Sequence, residues 1–391
     1  MSDSGPLNGS SIVCVGFADW NTENWTNQQH LMSRLARKNK VLFIESLGLR
    51  KPTVSARDLR RMARRLWRGF RPLSERNGVH ILSPLVIPYH GNRWIQRINA
   101  LLLKRAVGKA VRRLGLEGPI LWGYVPQALT LVELLQPSLV VYHCVDDIAA
   151  HGRIDSRAFA RAEERFLARA DLVIASSPPL AKRLRPLAGN VRLMPNVADT
   201  DLFATALDAG PVDSALDALP RPRIVFVGAI SAVKVDLELL VELAELRPQW
   251  SIVLVGPVGL GDPDTDVSRL EKTANVHLLG HRAPHQLPVL LRGADAALIP
   301  YRLNRLTESI FPMKVYEYLA AGLPVVSTPL PSLADAKEIS FAGSAAETVA
   351  ALERLLAADS EEQRRARSRV AAGHSWQARI AEINQTLREI L

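Results

Sequence analysis

Cysteine is almost absent. Cys14 and Cys144 are the only two in 391 residues, and each lies in or at the end of an apolar, strand-like run, so they read as reduced core thiols and not as a disulfide or metal framework. Long apolar runs are missing too. No stretch approaches the roughly 20 residues that a bilayer-spanning helix needs, and the polar start MSDSGPLNGSS lacks a signal-peptide pattern, which predicts a cytoplasmic protein. Zinc-ligand spacing and aromatic RNA-binding motifs are also lacking, which leaves nucleic acid the weakest partner class. Acidic residues are scarce in one half: residues 1–200 hold 30 Lys and Arg against 15 Asp and Glu, whereas the remainder holds 19 against 24. The first half is therefore expected to meet an acidic partner.

A 48% hydrophobic content over this length is ample for two cores. Strand signals alternate with helical stretches, at 12–15, 41–44, 80–82, 120–122, 139–142, 172–175 and 191–194, and again at 224–227, 251–255, 276–278, 296–299 and 324–327. This alternation is the grammar of a parallel sheet, and its restart after a loop-prone stretch predicts two doubly wound α/β domains. The expected division is a first domain over 1–203, a linker over 204–221, a second domain over 222–372 and a terminal helix over 373–391.

The most informative segment is 309–328, SIFPMKVYEYLAAGLPVVST. Pro312 suits the first turn of a helix, Lys314 and Glu317 lie one turn apart on one face, and Gly322 followed by Pro324 ends the helix before an apolar strand. Helix-start amides and an ammonium suit a phosphate, and a carboxylate one turn deeper can accept from vicinal hydroxyls. Phosphate beside a diol points to a nucleotide. The alternative is an ordinary helix with Lys314 solvated and Glu317 capping.

This string resembles the donor-binding segment of GT-B glycosyltransferases of the retaining family four type, in the subgroup whose loop reads Ser-x-x-Pro-x-Lys before Tyr-Glu-Tyr-Leu-Ala-x-Gly-x-Pro-Val-Val. Most of that family has two Glu residues flanking seven others; Glu317 matches the second, and the first falls on Ser309, with Glu308 one position off. The resemblance implies a GT-B fold, two Rossmann-like domains facing each other across a cleft, with the helix HSWQARIAEINQTLREIL returning to the first. It also implies a nucleoside-diphosphate sugar as co-substrate, no further cofactor and no metal. Donor contacts would come from Ser309, Ile310, Phe311, Pro312, Met313, Lys314 and Glu317, with backbone amides of 310–313 reading the sugar. A second segment, FVGAISAVKVDLELL, is similar to the family's Gly-Arg-Leu-x-x-Glu-Lys-Gly, with Gly228 and Lys234 matching, Ala229 replacing the Arg and Val235 the second Gly. Read by itself, it predicts a helix beginning near Lys234 that aims its ammonium at a diphosphate. Gly256, His281 and Arg282, in two loops that follow strands, are expected around the base, the last two through their backbone.

Two loops of the first half are candidate acceptor sites. Trp20, Asn21 and Trp25, with Glu23 and Asn24, precede a helix and can stack on and hydrogen-bond a sugar. His143, Asp146 and Asp147 close a buried strand; paired carboxylates invite a metal or an acid/base role for Asp146, or a simple capping role. They resemble the Tyr-x-Cys-Val-Asp-Asp signature of the same subgroup. Finally, ARDLRRMARRLWRGFR sets Arg57, Arg60, Arg61, Arg64, Arg65 and Arg68 against an apolar face with Trp67 and Phe70. That pattern suits an interfacial helix on anionic lipid at the inner face of the plasma membrane, with a solvated helix packed on the core as the alternative. The reading that follows is a retaining, metal-independent hexosyltransferase acting on a lipid-linked or envelope saccharide, with Lys234 and Lys314 stabilising the leaving diphosphate. A soluble acceptor, or a non-catalytic nucleotide-sugar binder, remains the alternative.

Overall fold

The computed structural model describes residues 5–22, 25–46, 73–85, 93–150 and 154–390. The chain divides into two compact units, one made of Met1–Pro195 with Ile380–Leu391, the other of Asn196–Arg379. Every expected strand is found. Two short ones escaped the sequence reading, because Ser74–Arg76 is wholly exposed and Ser340–Phe341 is only two residues long.

In the first unit, β1 (Ser11–Val15), β2 (Lys40–Ile44), β3 (Ser74–Arg76), β4 (Val79–Leu82), β5 (Ile120–Gly123), β6 (Leu139–Cys144), β7 (Leu172–Ala175) and β8 (Val191–Leu193) form one sheet. Its order is β3-β4-β2-β1-β5-β6-β7-β8, with β3 antiparallel at the edge and every other pairing parallel. The central strands are mostly apolar and almost wholly buried, as a helix-covered parallel sheet demands. Cys14 and Cys144 are both buried and unbridged within it.

In the second unit, β9 (Arg223–Val227), β10 (Ser251–Val255), β11 (Val276–Gly280), β12 (Ala296–Ile299), β13 (Val325–Ser327) and β14 (Ser340–Phe341) pair in the order β11-β10-β9-β12-β13-β14, all parallel. Ranked along the chain this is 3-2-1-4-5-6, so the winding reverses between β9 and β12. In doubly wound folds ligands bind beyond the carboxyl ends of the strands at such a reversal.

The expected linker is not a linker. Helix Ser214–Asp217 within it belongs to the second unit, as does helix Thr200–Ala204, which the expected boundary at 203 had left in the first domain; Phe203, Ala206 and Leu216 are buried in the core of the second unit. The stretch reads as loop-prone because its α-helix, Ser214–Asp217, is only four residues long, too short for a clear period.

Candidate functional site

The carboxyl end of β9 runs into Gly228 and a loop that ends at Asp236, whose side chain caps the helix Leu237–Leu246 by accepting from the Leu239 amide. The helix thus begins three positions beyond Lys234, later than the sequence predicts, because Asp236 is the better cap. Lys234 lies instead in a turn, where its amide donates to the Ser231 carbonyl and its own carbonyl accepts from Arg302 N–H at 2.9 Å. Its ammonium sits 4.7 Å from the centroid of the Tyr301 ring. Tyr301 directly follows Pro300 at the end of β12, so the two loops that diverge from the switch point are tied back together around Lys234. Asp236 N–H to Pro300 O, Asn304 Nδ2 to Val233 O and a Val235–Tyr301 bridge complete the tie.

Gly256, after β10, approaches the same loop as closely as backbone allows. Its φ is +150°, and a Cβ there would stand 1.9 Å from the Gly228 carbonyl oxygen. The glycine at 256 lets neighbouring strand ends crowd together, which a side chain there would prevent. His281 is exposed after β11, while Arg282 turns inward, donating to Asp213 at 3.2 Å and to the Leu279 carbonyl at 2.7 Å.

The segment 309–328 folds as a loop, the seven-residue helix Lys314–Ala320, a turn at Gly322 with φ +81° and then β13. Lys314 Nζ donates to Glu317 Oε2, and Glu317 is buried to 7% exposure. Four amides were expected to serve the sugar from 310–313. Pro312 has no N–H, and Ile310 donates its own to the Thr307 carbonyl, so that expectation narrows to Phe311 and Met313. Phe311 is buried against Tyr316, its carbonyl accepting from Asn196 Nδ2 at 3.0 Å. Ser309 and Met313 are half-buried, and Glu308 is exposed. Tyr318, assigned no role from sequence, accepts at its hydroxyl from the Val227 amide at 2.7 Å and so fastens the Glu317 helix to the end of β9. The mostly apolar run VYEYLA around it was the available signal.

In the first unit, Trp20 corrects the acceptor reading. It is 1% exposed, packed edge-on to Phe43 at 5.0 Å and against Trp25 at 5.6 Å, with its amide donating to Glu45. A ring so covered offers no face to a sugar. Asn21 is exposed and Trp25 half-buried; Glu23, Asn24 and the whole segment from Arg57 to Arg71 lie outside the described residues. His143 is 2% exposed and stacks on Tyr124 at 4.9 Å, again a core position, whereas Asp146 and Asp147 are half-buried. The Asp147 carbonyl accepts from Ala150 N–H and starts the turn Ile148–Ala150. Beneath this loop is a network absent from the sequence reading. Glu163, 3% exposed, accepts from Tyr142 Oη at 2.6 Å and from both terminal nitrogens of Arg183, and Arg183 also reaches Cys144 Sγ, which in turn donates to the Asp146 carbonyl at 3.6 Å. Burial, with the Glu163 charge adding to it, pushes the Cys144 thiol up to about 12.

The loops around the switch point lie within a recognisable stretch. Residues 221–358 match the family described as glycosyl transferases group 1. A Bacillus subtilis (strain 168) protein named as a teichuronic acid biosynthesis glycosyltransferase is 31% identical over 224 residues, 54% of this chain and 56% of that relative. The chain thus aligns with about half the relative's length. Among solved structures, sucrose-phosphate synthase of Thermosynechococcus elongatus is similar over 97% of this chain and 99% of its own, with TM-score 0.69 and 17% identity. HepE of Anabaena, in complex with UDP and glucose, is similar over 96% and 99%, with TM-score 0.65 and 14% identity. At such identities the likeness is one of fold: two α/β units with parallel sheets, as in GT-B glycosyltransferase structures.

Proposed function

We propose that the protein is a glycosyltransferase that moves a hexose, with retention, from a nucleoside-diphosphate sugar to a lipid-linked or cell-envelope saccharide at the inner face of the plasma membrane. The observation that carries the reading is Lys234, held over Tyr301 where the loops after β9 and β12 diverge. Open parallel sheets bind phosphorylated ligands at this point, and the surrounding stretch is the one that matches the family. The Lys314–Glu317 pair, on a helix fastened to β9 through Tyr318, supplies a second cation and a ribose acceptor.

The chemistry is leaving-group stabilisation. As the glycosidic bond breaks, charge grows on the β-phosphate, and Lys234 and Lys314 offset it without a metal; a preorganised cation is worth most where charge develops. The departing phosphate oxygen takes the acceptor hydroxyl's proton on the same face as bond formation, so Asp146 is not required as the base. HepE structures hold UDP and UDP-glucose, which supports a uridine donor as the first to try. The name of the Bacillus relative supports an envelope polysaccharide acceptor. A thermal-shift panel of UDP-, GDP- and dTDP-sugars tests the reading, because a ligand at 100 times its Kd adds about 2.7 kcal/mol of stability. A panel without any stabilising sugar nucleotide would overturn it.

A further inference from the structure

The helix Arg93–Leu114 buries one face and turns the opposite one to solvent. Leu103, Val107 and Ala110 pack into the core of the first unit. On the other side Trp94 is 70% exposed, Ile98 46% and Leu101 51%. Positions 94, 98 and 101 follow the i, i+4, i+7 spacing of a single stripe. Carried on towards the C-terminus, the same face bears Arg105, Lys109 and Arg112, all exposed. The helix sequence contains no acidic residue, and the Arg97 guanidinium lies 5.2 Å from the centre of the Trp94 ring. Three large apolar groups aligned in water are costly, and a row of cations continuing them says what kind of surface would cover them.

We propose that this face docks on an anionic lipid surface, with Trp94, Ile98 and Leu101 entering the headgroup boundary and Arg97, Arg105, Lys109 and Arg112 meeting lipid phosphates. The inference rests on the membrane-linked acceptor proposed above and locates the contact on a described helix, separate from the 57–71 segment. At 22 residues the helix is about 33 Å long, enough to lie along a bilayer surface. Interfacial binding needs both an apolar term and a charge term, and this face supplies the two side by side. A polyanion such as RNA would use the cations and leave the apolar stripe in water; an apolar protein groove would leave the cations without partners.

Co-sedimentation of the full chain with phosphatidylglycerol or phosphatidylcholine vesicles tests it. Wild type should partition onto phosphatidylglycerol and not onto phosphatidylcholine. The triple changes W94S/I98S/L101S and R105Q/K109Q/R112Q should each lower that partitioning about tenfold or more, while both variants keep the wild-type melting transition and sugar-nucleotide response. Brominated anionic lipid should quench wild-type tryptophan emission more than that of Trp94→Phe. Loss of binding in the charge variant alone would indicate adhesion to any polyanion and overturn the proposal, as would equal quenching. If wild type binds and only R60Q/R61Q/R64Q/R65Q releases it, the helix has no docking role while the membrane reading stands. If wild type itself ignores anionic vesicles, both fail together.

Discussion

Lys314 and Glu317, one helical turn apart, form an ion pair in which the carboxylate is almost fully buried. The contact fixes the position of the carboxylate before any nucleotide arrives, which suits it to accept from ribose hydroxyls. Glu317→Gln keeps the shape and loses the charge. A hydrogen bond to a charged acceptor is worth roughly 1.5 to 3 kcal/mol, so UDP affinity should fall about tenfold to a hundredfold. Calorimetric titration of a folded variant checks this; unchanged affinity would remove Glu317 from the site.

Lys234→Ala should lower turnover more than donor affinity, since the phosphate gains charge towards the transition state. The expected loss is on the order of a hundredfold in kcat. Steady-state kinetics on Lys234→Ala and Lys314→Ala decide which cation dominates. Near-full turnover in the first with collapse in the second would make Lys314 the main diphosphate cation.

Gly256→Ala should destabilise the second unit by at least about 3 kcal/mol, because the added Cβ would collide with backbone that other strands hold in place. Gly9, also at positive φ but with nothing within 4 Å of a Cβ, is the control and should cost less. Denaturant melts of the two variants make the comparison, and equal losses would mean that strain in φ, not the contact with Gly228, is what matters.

Both thiols should resist alkylation in the native protein at pH 8 and react once it is unfolded. Burial raises Cys14 well above the usual value and Cys144 to about 12. For an acid whose folded pKa is raised, the stabilising difference is present below the unfolded pKa and is lost as pH climbs towards the folded one. Stability should therefore decline from about pH 9 to about 12. A Cys144→Ser variant with the same alkaline decline would show that other groups cause it.

The strands were legible because core strands such as β6, β9 and β10 each carry a run of four apolar residues, and burial on both faces leaves little room for polar residues in such a run. The helix stop at Gly322 was legible for a related reason: its φ of +81° is one that other residues avoid. Local sequence also marked Lys234, Lys314 and Glu317 by their spacing from those strands and turns. It said nothing of what the side chains touch. That Lys234 rests over Tyr301 follows from β9 pairing with β12, more than 70 residues away, a neighbourhood created by the strand order. Trp20 reads as a sugar-stacking ring in its polar loop, yet Phe43 on β2 and the carboxylate of Glu45 just beyond that strand claim it for the core. The Glu163–Arg183 network likewise joins two helices and a strand whose residues share no local pattern. Propensity and periodicity act within a few residues along the chain, and they determined where the elements lie. Pairing and burial act between residues distant along it, and only they decided which of the candidate groups the core claims.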